Sequence, residues 1–139
     1  MKKILIIVVI ILGSAVAYGY YLFHKPHQGI ANQEAAFTLD SKKLFDEFDQ
    51  DEDGANKKYL GKVVSVHGKI TDRAVDSKGT FSLILEGGDM AGVGCQFDKS
   101  ILKDVQNLKP GQVIKVKGKC TGMLMDVVLV DCVPDDDNQ

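Results

Sequence analysis

The sequence predicts a mainly β domain: a five-stranded barrel with an N-terminal helix and a short helix between strands 3 and 4, preceded by one transmembrane helix. Three observations predict it. A ten-residue phrase occurs twice, as G-K-V-V-S-V-H-G-K-I at 61–70 and G-Q-V-I-K-V-K-G-K-C at 111–120. Each copy alternates with period two, as a half-buried strand does. A glycine interrupts each run near its end, which marks a bulge, a bend or a close backbone approach and suits a tightly curled sheet. The third observation is an apolar run at the start of the chain.

That run extends from Ile4 to Phe23, behind Lys2 and Lys3. About 20 residues rising 1.5 Å each span a bilayer core of about 30 Å. Tyr18, Tyr20 and Tyr21 cluster at one end, where phenol rings suit the lipid–water interface. The lysines stay on the cytoplasmic side and the rest is exported. The expected placement is therefore a bacterial inner membrane, crossed once, with the C-terminal domain periplasmic or extracytoplasmic. Ala15-Val16-Ala17 also forms an A-x-A cleavage site, so a removed signal peptide is the competing reading. No cysteine follows the run, so there is no lipoprotein signal. The anchor takes residues 1–24 and a spacer with Pro26 and Gly29 takes 25–37.

The barrel domain occupies 38–134. Asp40 or Ser41 caps a helix over 41–50, with Leu44, Phe45 and Phe48 at helical spacing, and the helix resumes over 54–60. The first strand, 62–72, places Val64, Val66 and Ile70 on one face. The second, 80–86, turns Phe81, Leu83 and Leu85 inward. Gly87-Gly88-Asp89 turns the chain, and the third strand, 91–97, turns in Val93, Cys95 and Phe97. A helix over 99–107 is stopped by Lys109-Pro110-Gly111. The fourth strand, 112–120, faces Ile114 and Val116 inward. The fifth, 126–133, places Val128, Val130 and Cys132 on one face. Residues 135–139 read as a frayed acidic tail.

Five strands with a helix between the third and fourth is the OB-fold arrangement, a small Greek-key barrel. In that topology the first and fourth strands, which carry the repeated phrase, are neighbours.

Charge excludes some partners. The chain has 17 basic and 19 acidic side chains. All the acidic ones and fourteen of the basic ones lie beyond residue 30, a formal charge of −5 for the domain. A general phosphate-backbone binder presents a net basic surface, so nucleic acid is a disfavoured partner.

Chemistry-bearing patterns are sparse. Asp49-Gln50-Asp51-Glu52-Asp53-Gly54 imitates the start of a calcium loop, but position twelve is Leu60 where a bidentate Glu is needed. A solvated acidic break between helices is the expected reading. His24, His27 and His67 stand apart from any nucleophile. No C-x-x-C occurs, so no metal or other cofactor is expected. Cys95, Cys120 and Cys132 fall on inward positions. In an oxidising compartment Cys132 can pair with Cys120 or with Cys95, and three small buried thiols are the alternative.

The chain resembles the tRNA_anti-like family of exported or membrane-anchored bacterial OB-fold proteins. The resemblance covers about 37–133 and rests on Leu44…Phe48, Ala55…Lys58-Tyr59-Leu60-Gly61-Lys62, Val66-x-Gly68, Cys95-x-Phe97, Gly111-x-Val113, Val116-x-Gly118 and Thr121-Gly122…Asp126-Val127-x-Leu129. Lys25-Pro26-His27 after the apolar segment is similar to membrane-anchored members. The family name implies kinship with anticodon-binding OB domains and brings no catalytic residue to these positions.

The ligand face of such barrels is built by strands two and three with their flanking loops. Here that selects Arg73, Lys78, Ser82, Gln96, Met123 and Met125, with a basic strip of Lys115, Lys117 and Lys119 beside them. The outward positions of strands two and three carry no aromatic on which bases would stack. The expected function is a membrane-anchored, extracytoplasmic binding module without catalytic activity, its ligand unidentified among an envelope protein, an oligosaccharide or a small molecule. Weak single-stranded nucleic-acid binding is the second reading.

Overall fold

The computed structural model of the chain describes residues 1–23 and 29–135. His24, the first part of the predicted spacer (25–28, with Pro26 and His27) and the acidic tail beyond Asp135 lie outside them. The elements are α1 (Lys2–Phe23), a 3₁₀ turn (Ile30–Asn32), β1 (Phe37–Asp40), α2 (Ser41–Gln50), α3 (Glu52–Tyr59), β2 (Val63–Val75), β3 (Phe81–Glu86), β4 (Gly92–Phe97), α4 (Leu102–Val105), β5 (Val113–Met123) and β6 (Val127–Pro134). β2, β3, β4, β6 and β5 pair in that order, and β5 returns to β2 to close the barrel. β4 and β6 run parallel and the other neighbours in the ring antiparallel. This is the predicted OB topology. β1 is a sixth strand that the alternation does not reveal. It lies parallel on the edge of β2, Phe37 opposite Val64 and Asp40 opposite His67.

The repeated phrase has a structural meaning beyond two curled strands. The copies pair with each other about a pseudo-twofold centre at Val66 and Val116. Val64 faces Gly118, and Gly68 faces Ile114. Each copy opens on the same turn: the Lys62 amide donates to the Tyr59 carbonyl (3.0 Å), and the Gln112 amide to the Lys109 carbonyl (3.2 Å). Gly61 (φ 75°) and Gly111 (φ 96°) take the left-handed third position that such type II turns require. The amides of Gly61 and Gly111 then donate to the Cys120 and Ile70 carbonyls, each at 2.8 Å. One sequence word therefore makes one ladder with matching ends.

The barrel interior holds Val64, Val66, Ile70, Phe81, Leu83, Leu85, Val93, Cys95, Phe97, Val116 and Cys120. In β6 the inward residues are Val127, Leu129 and Cys132, not Val128, Val130 and Cys132 as the alternation predicts. Asp131 is the physical reason. It adopts φ 53° at an irregularity where Cys95 pairs Leu129 but Phe97 pairs Cys132. One extra residue in a strand shifts the phase of its faces.

Two lids close the barrel. α2 covers the end where β3 meets β4, its Phe45 packed against Gly87 and Gly88. Asp40 caps α2 by accepting from the Lys42 amide (2.8 Å), and Asp51 caps α3 by accepting from the Gly54 amide (3.1 Å). That cap gives the acidic run at 49–54 a structural role. α4 is four residues long, shorter than predicted, and plugs the opposite end with fully buried Val105. Residues 30–36 fold back over the outside of the barrel, where buried Ile30 packs with Val63 and Val133.

α2 and α3 are joined by one carboxylate. Glu47 Oε2 accepts from Tyr59 Oη at 2.7 Å and from Lys58 Nζ at 3.0 Å. Burial pushes the Glu47 carboxyl up, but the Tyr59 and Lys58 bonds outweigh it and hold the group below its ordinary value. A depressed carboxylate contributes stability above its unfolded pKa, and that contribution is lost as pH falls through the folded value. Glu47→Gln is therefore expected to cost about 1 kcal/mol at neutral pH. The gap from the parent protein should close below about pH 4, and urea unfolding at both pH values measures it.

Candidate functional site

The face left open to a ligand is the outer surface of β3, β4 and β6. Side-by-side pairing builds it in rows. Ala74, Ser82 and Gln96 form one row, and Asp72, Ile84, Gly94, Val128 and Gly122 form the next. Small side chains make this surface shallow, and no aromatic stands in either row. Phe81 and Phe97 point into the core with ring centroids 6.3 Å apart.

Three depressions run together across this side. One, of about 410 Å³, lies between α3 and the β5–β6 hairpin and is lined by Asn56, Leu60, Thr121, Met123 and Gln96. The next, of about 390 Å³, shares Gln96 and adds Thr80, Asp98, Lys99 and Asp131. The third, of about 360 Å³, shares Asp98 and Asp131 and reaches Ser100, Gln33 and Lys119. Gln96 and the Asp98–Asp131 pair are thus the joints of one trough. The left-handed Asp131 is the only non-glycine residue with positive φ among those described. Asn56 Oδ1 is enclosed and accepts no hydrogen bond.

The predicted residues divide among different places. Ser82 and Gln96 are adjacent on the open face. Lys78 sits in the 76–80 turn, where Asp76 accepts from the Lys78 and Thr80 amides at 2.8 Å each. Those backbone bonds, Thr80's foremost, lower the Asp76 carboxyl pKa. Arg73 is committed elsewhere: its guanidinium donates to the Gln106 (3.1 Å) and Leu108 (3.3 Å) carbonyls, capping the chain after α4. Met123 is half-buried in the first depression, and Met125 projects from the hairpin tip.

The lysine strip is not an open one. Lys115 and Lys117 lie 3.6 and 3.9 Å from the Asp135 carboxylate, with side chains 26% and 12% exposed. Lys117 also donates to the Ala31 carbonyl (3.2 Å). Ser65, fully buried, donates to the same carboxylate. Asp135, which the sequence places in a frayed tail, is instead the hub that ties the end of β6 to β2 and β5. Lys119 alone of the three lines the trough.

All three cysteines are buried free thiols. Cys120 stands opposite Leu129, and the Cys132 thiol lies against Cys95. Burial, and then the neighbouring Cys95, pushes the Cys132 thiol well up. His67 faces Asp40 at 3.4 Å on the surface. Among the described residues no three His, Cys, Asp or Glu side chains are grouped to hold a metal. Asn56, Thr121, Asp98 and Asp131 are not legible in the sequence as site residues. Their only signal there is proximity to predicted turns and helix ends.

Comparison with known proteins agrees with this architecture. A proposed nucleic acid-binding lipoprotein from Klebsiella pneumoniae subsp. pneumoniae superimposes with a TM-score of 0.58 at 20% identity, over 80% of this chain and 98% of that one. The Stn1–Ten1 complex of S. pombe gives a TM-score of 0.43 at 21% identity, over 54% of this chain and 59% of that one. At 20% identity the likeness to the lipoprotein is one of fold. No curated protein matches the chain in sequence. The tRNA_anti-like family profile matches residues 1–133, the N-terminal helix included. With that match added to the closed barrel and its paired glycine phrases, the chain belongs to the tRNA_anti-like family.

Proposed function

We propose that this protein is a membrane-anchored, extracytoplasmic OB-fold binding module without catalytic activity. Its ligand lies along the trough from Gln96 to Lys119. Anchoring is supported by α1, whose window of mean hydropathy 2.3 is long and apolar enough to cross a bilayer. Lys2 and Lys3 ahead of it favour export of the barrel.

The observation that carries the reading is the chemistry of the trough. Amides, hydroxyls and the carboxylates Glu52, Asp98 and Asp131 line it among apolar side chains such as Leu60, Ile101 and Met123, with Lys99 and Lys119 as its cations. Such a mixed lining offers hydrogen bonds to a neutral polyhydroxylated chain, and OB barrels accept oligosaccharides on this side. Phosphodiesters meet carboxylates there and find no stacking platform. An envelope oligosaccharide is the ligand class that fits. Single-stranded nucleic acid is the second reading, supported by the family's name and by the printed description of the Klebsiella lipoprotein.

The test is a titration of the detergent-solubilised full chain with envelope oligosaccharide fragments. A fluorescent mixed-sequence single strand at low and moderate salt is run in parallel. Saturable oligosaccharide binding that Gln96→Ala weakens is the expected result. Strand binding that falls steeply with salt, without oligosaccharide binding, would replace it with the second reading.

A further inference from the structure

The barrel carries an exposed apolar rim outside its core, which meets one end of the trough at Leu60 and Leu124. Met90 is 98% exposed, Leu124 90%, Met125 79% and Leu60 52%. These residues are brought to one end of the barrel by specific bonds. The Gly92 amide donates to Asp126 Oδ1 at 2.8 Å, holding the β5–β6 hairpin against the start of β4. The turn that presents Met90 is closed by the Gly88 amide donating to the Ala91 carbonyl (2.7 Å), directly before Gly92. Leu60 lies against Gly122 of the same hairpin.

We infer that this rim rests in the surface of the bilayer that holds α1, so that the barrel is seated on the membrane and not merely leashed to it. The inference rests on the anchored reading above. Its first support is chain length. Only residues 24–28 separate the end of α1 from Gly29, a reach of at most about 20 Å. Gly29 and Lys119 line the same depression on the barrel wall. From Lys119 to Leu124 is five residues along the β5 hairpin, about 17 Å. The rim and the membrane end of the tether are therefore within the same radius of Gly29.

The second support is the character of the patch. Methionine and leucine on two tight loops are large, flexible and uncharged. They match the boundary where interfacial segments bury their apolar side about 5–10 Å deep. Four side chains give weak affinity alone, but a tether of this length raises the effective concentration of surface to the millimolar range. The nearby charges are of both signs, Asp89 and Asp126 beside the two loops and Lys57 and Lys62 on either side of Leu60. Contact with zwitterionic headgroups is therefore carried by the apolar side chains, with no net electrostatic pull, and salt should not alter it.

The sequence has no tryptophan, so a single introduced one is a clean reporter. Leu124→Trp is placed in the full chain in nanodiscs of zwitterionic phosphatidylcholine, with and without brominated acyl chains. Lys78→Trp, in the 76–80 turn away from the rim, is the control. The expected result is a blue-shifted L124W spectrum that loses emission to the brominated lipid at both low and high salt, while K78W does neither. Unquenched, water-like emission from L124W in discs that carry the protein overturns the seated barrel, leaves the anchor intact and assigns the rim to a protein partner. A chain that elutes apart from the discs overturns the anchor, and the seat with it.

Discussion

Gly92→Ala is expected to destabilise the barrel by about 3 kcal/mol or more. A Cβ at residue 92 would sit 2.0 Å from the Leu85 carbonyl oxygen and 3.2 Å from its carbon. Both are backbone atoms in the β3–β4 ladder, where Glu86 faces Gly92, so no rotamer change relieves the collision. Separating the strands would also displace the Gly92 amide from Asp126. For a domain of this size the melting temperature should fall by about 12–20 °C, read by near-ultraviolet circular dichroism of the tyrosines. Gly94→Ala is the internal comparison. Its Cβ meets nothing closer than 3.9 Å, so it should melt close to the parent. Equal melting of the two variants would show that β3 and β4 are not packed as described.

Gly92 also shows where sequence reading reaches its limit. The glycines of the repeated phrase announce themselves because they recur in the same frame, and both are needed. A Cβ on Gly68 would lie 2.1 Å from Ser41 Oγ, and one on Gly118 2.5 Å from Cys132 Sγ. Close approach is therefore realised at both, and Gly118 also marks an irregularity in the β5–β6 register between Lys117 and Lys119. Gly92 has no such frame, because its constraint comes from a carbonyl on another strand. Strand positions are legible where one face meets the core and the other meets water. β1 escapes because four residues cannot display a period, and its pairing partner lies 27 residues downstream. The faces of β6 escape because a left-handed aspartate shifts the phase without altering composition.

The candidate site is legible to a smaller degree, for a related reason. Ser82 and Gln96 follow from register alone and lie where the alternation puts them. Arg73 and Lys117 are long side chains whose destinations are set by carbonyls 33 and 86 residues away in sequence. Outward position on a strand establishes that such a residue leaves the core, not that it is available to a ligand. The basic strip is the clearest case, since its acidic counterpart belongs to a segment that composition marks as frayed.

That counterpart makes the second large effect. Asp135→Asn should convert a weak polyanion surface into a measurable one, at some cost in stability. The substitution keeps an oxygen for Ser65 Oγ and the backbone bond from the residue 135 amide to the Lys115 carbonyl (2.9 Å). It removes the counter-charge that now lies within 4 Å of both Lys115 and Lys117. In D135N those two ammonium groups stay beside Lys119 on one strand without the carboxylate that now offsets them. Each additional phosphate contact steepens the salt dependence of single-strand binding by about 0.7 in log–log slope. At low salt this should appear as a rise in affinity of about tenfold for an unstructured oligonucleotide, with a lowered melting temperature, because two largely buried ammonium groups lose their counter-charge. Neutral oligosaccharide binding along the trough should not respond, because Lys119 is the only member of the strip that the trough reaches. An unchanged affinity and slope would mean that the strip is purely structural, its lysines committed to joining the two ends of the domain. A rise would locate a nucleic-acid-binding strip on β5, away from the face the topology advertises, and held in check by the Asp135 side chain.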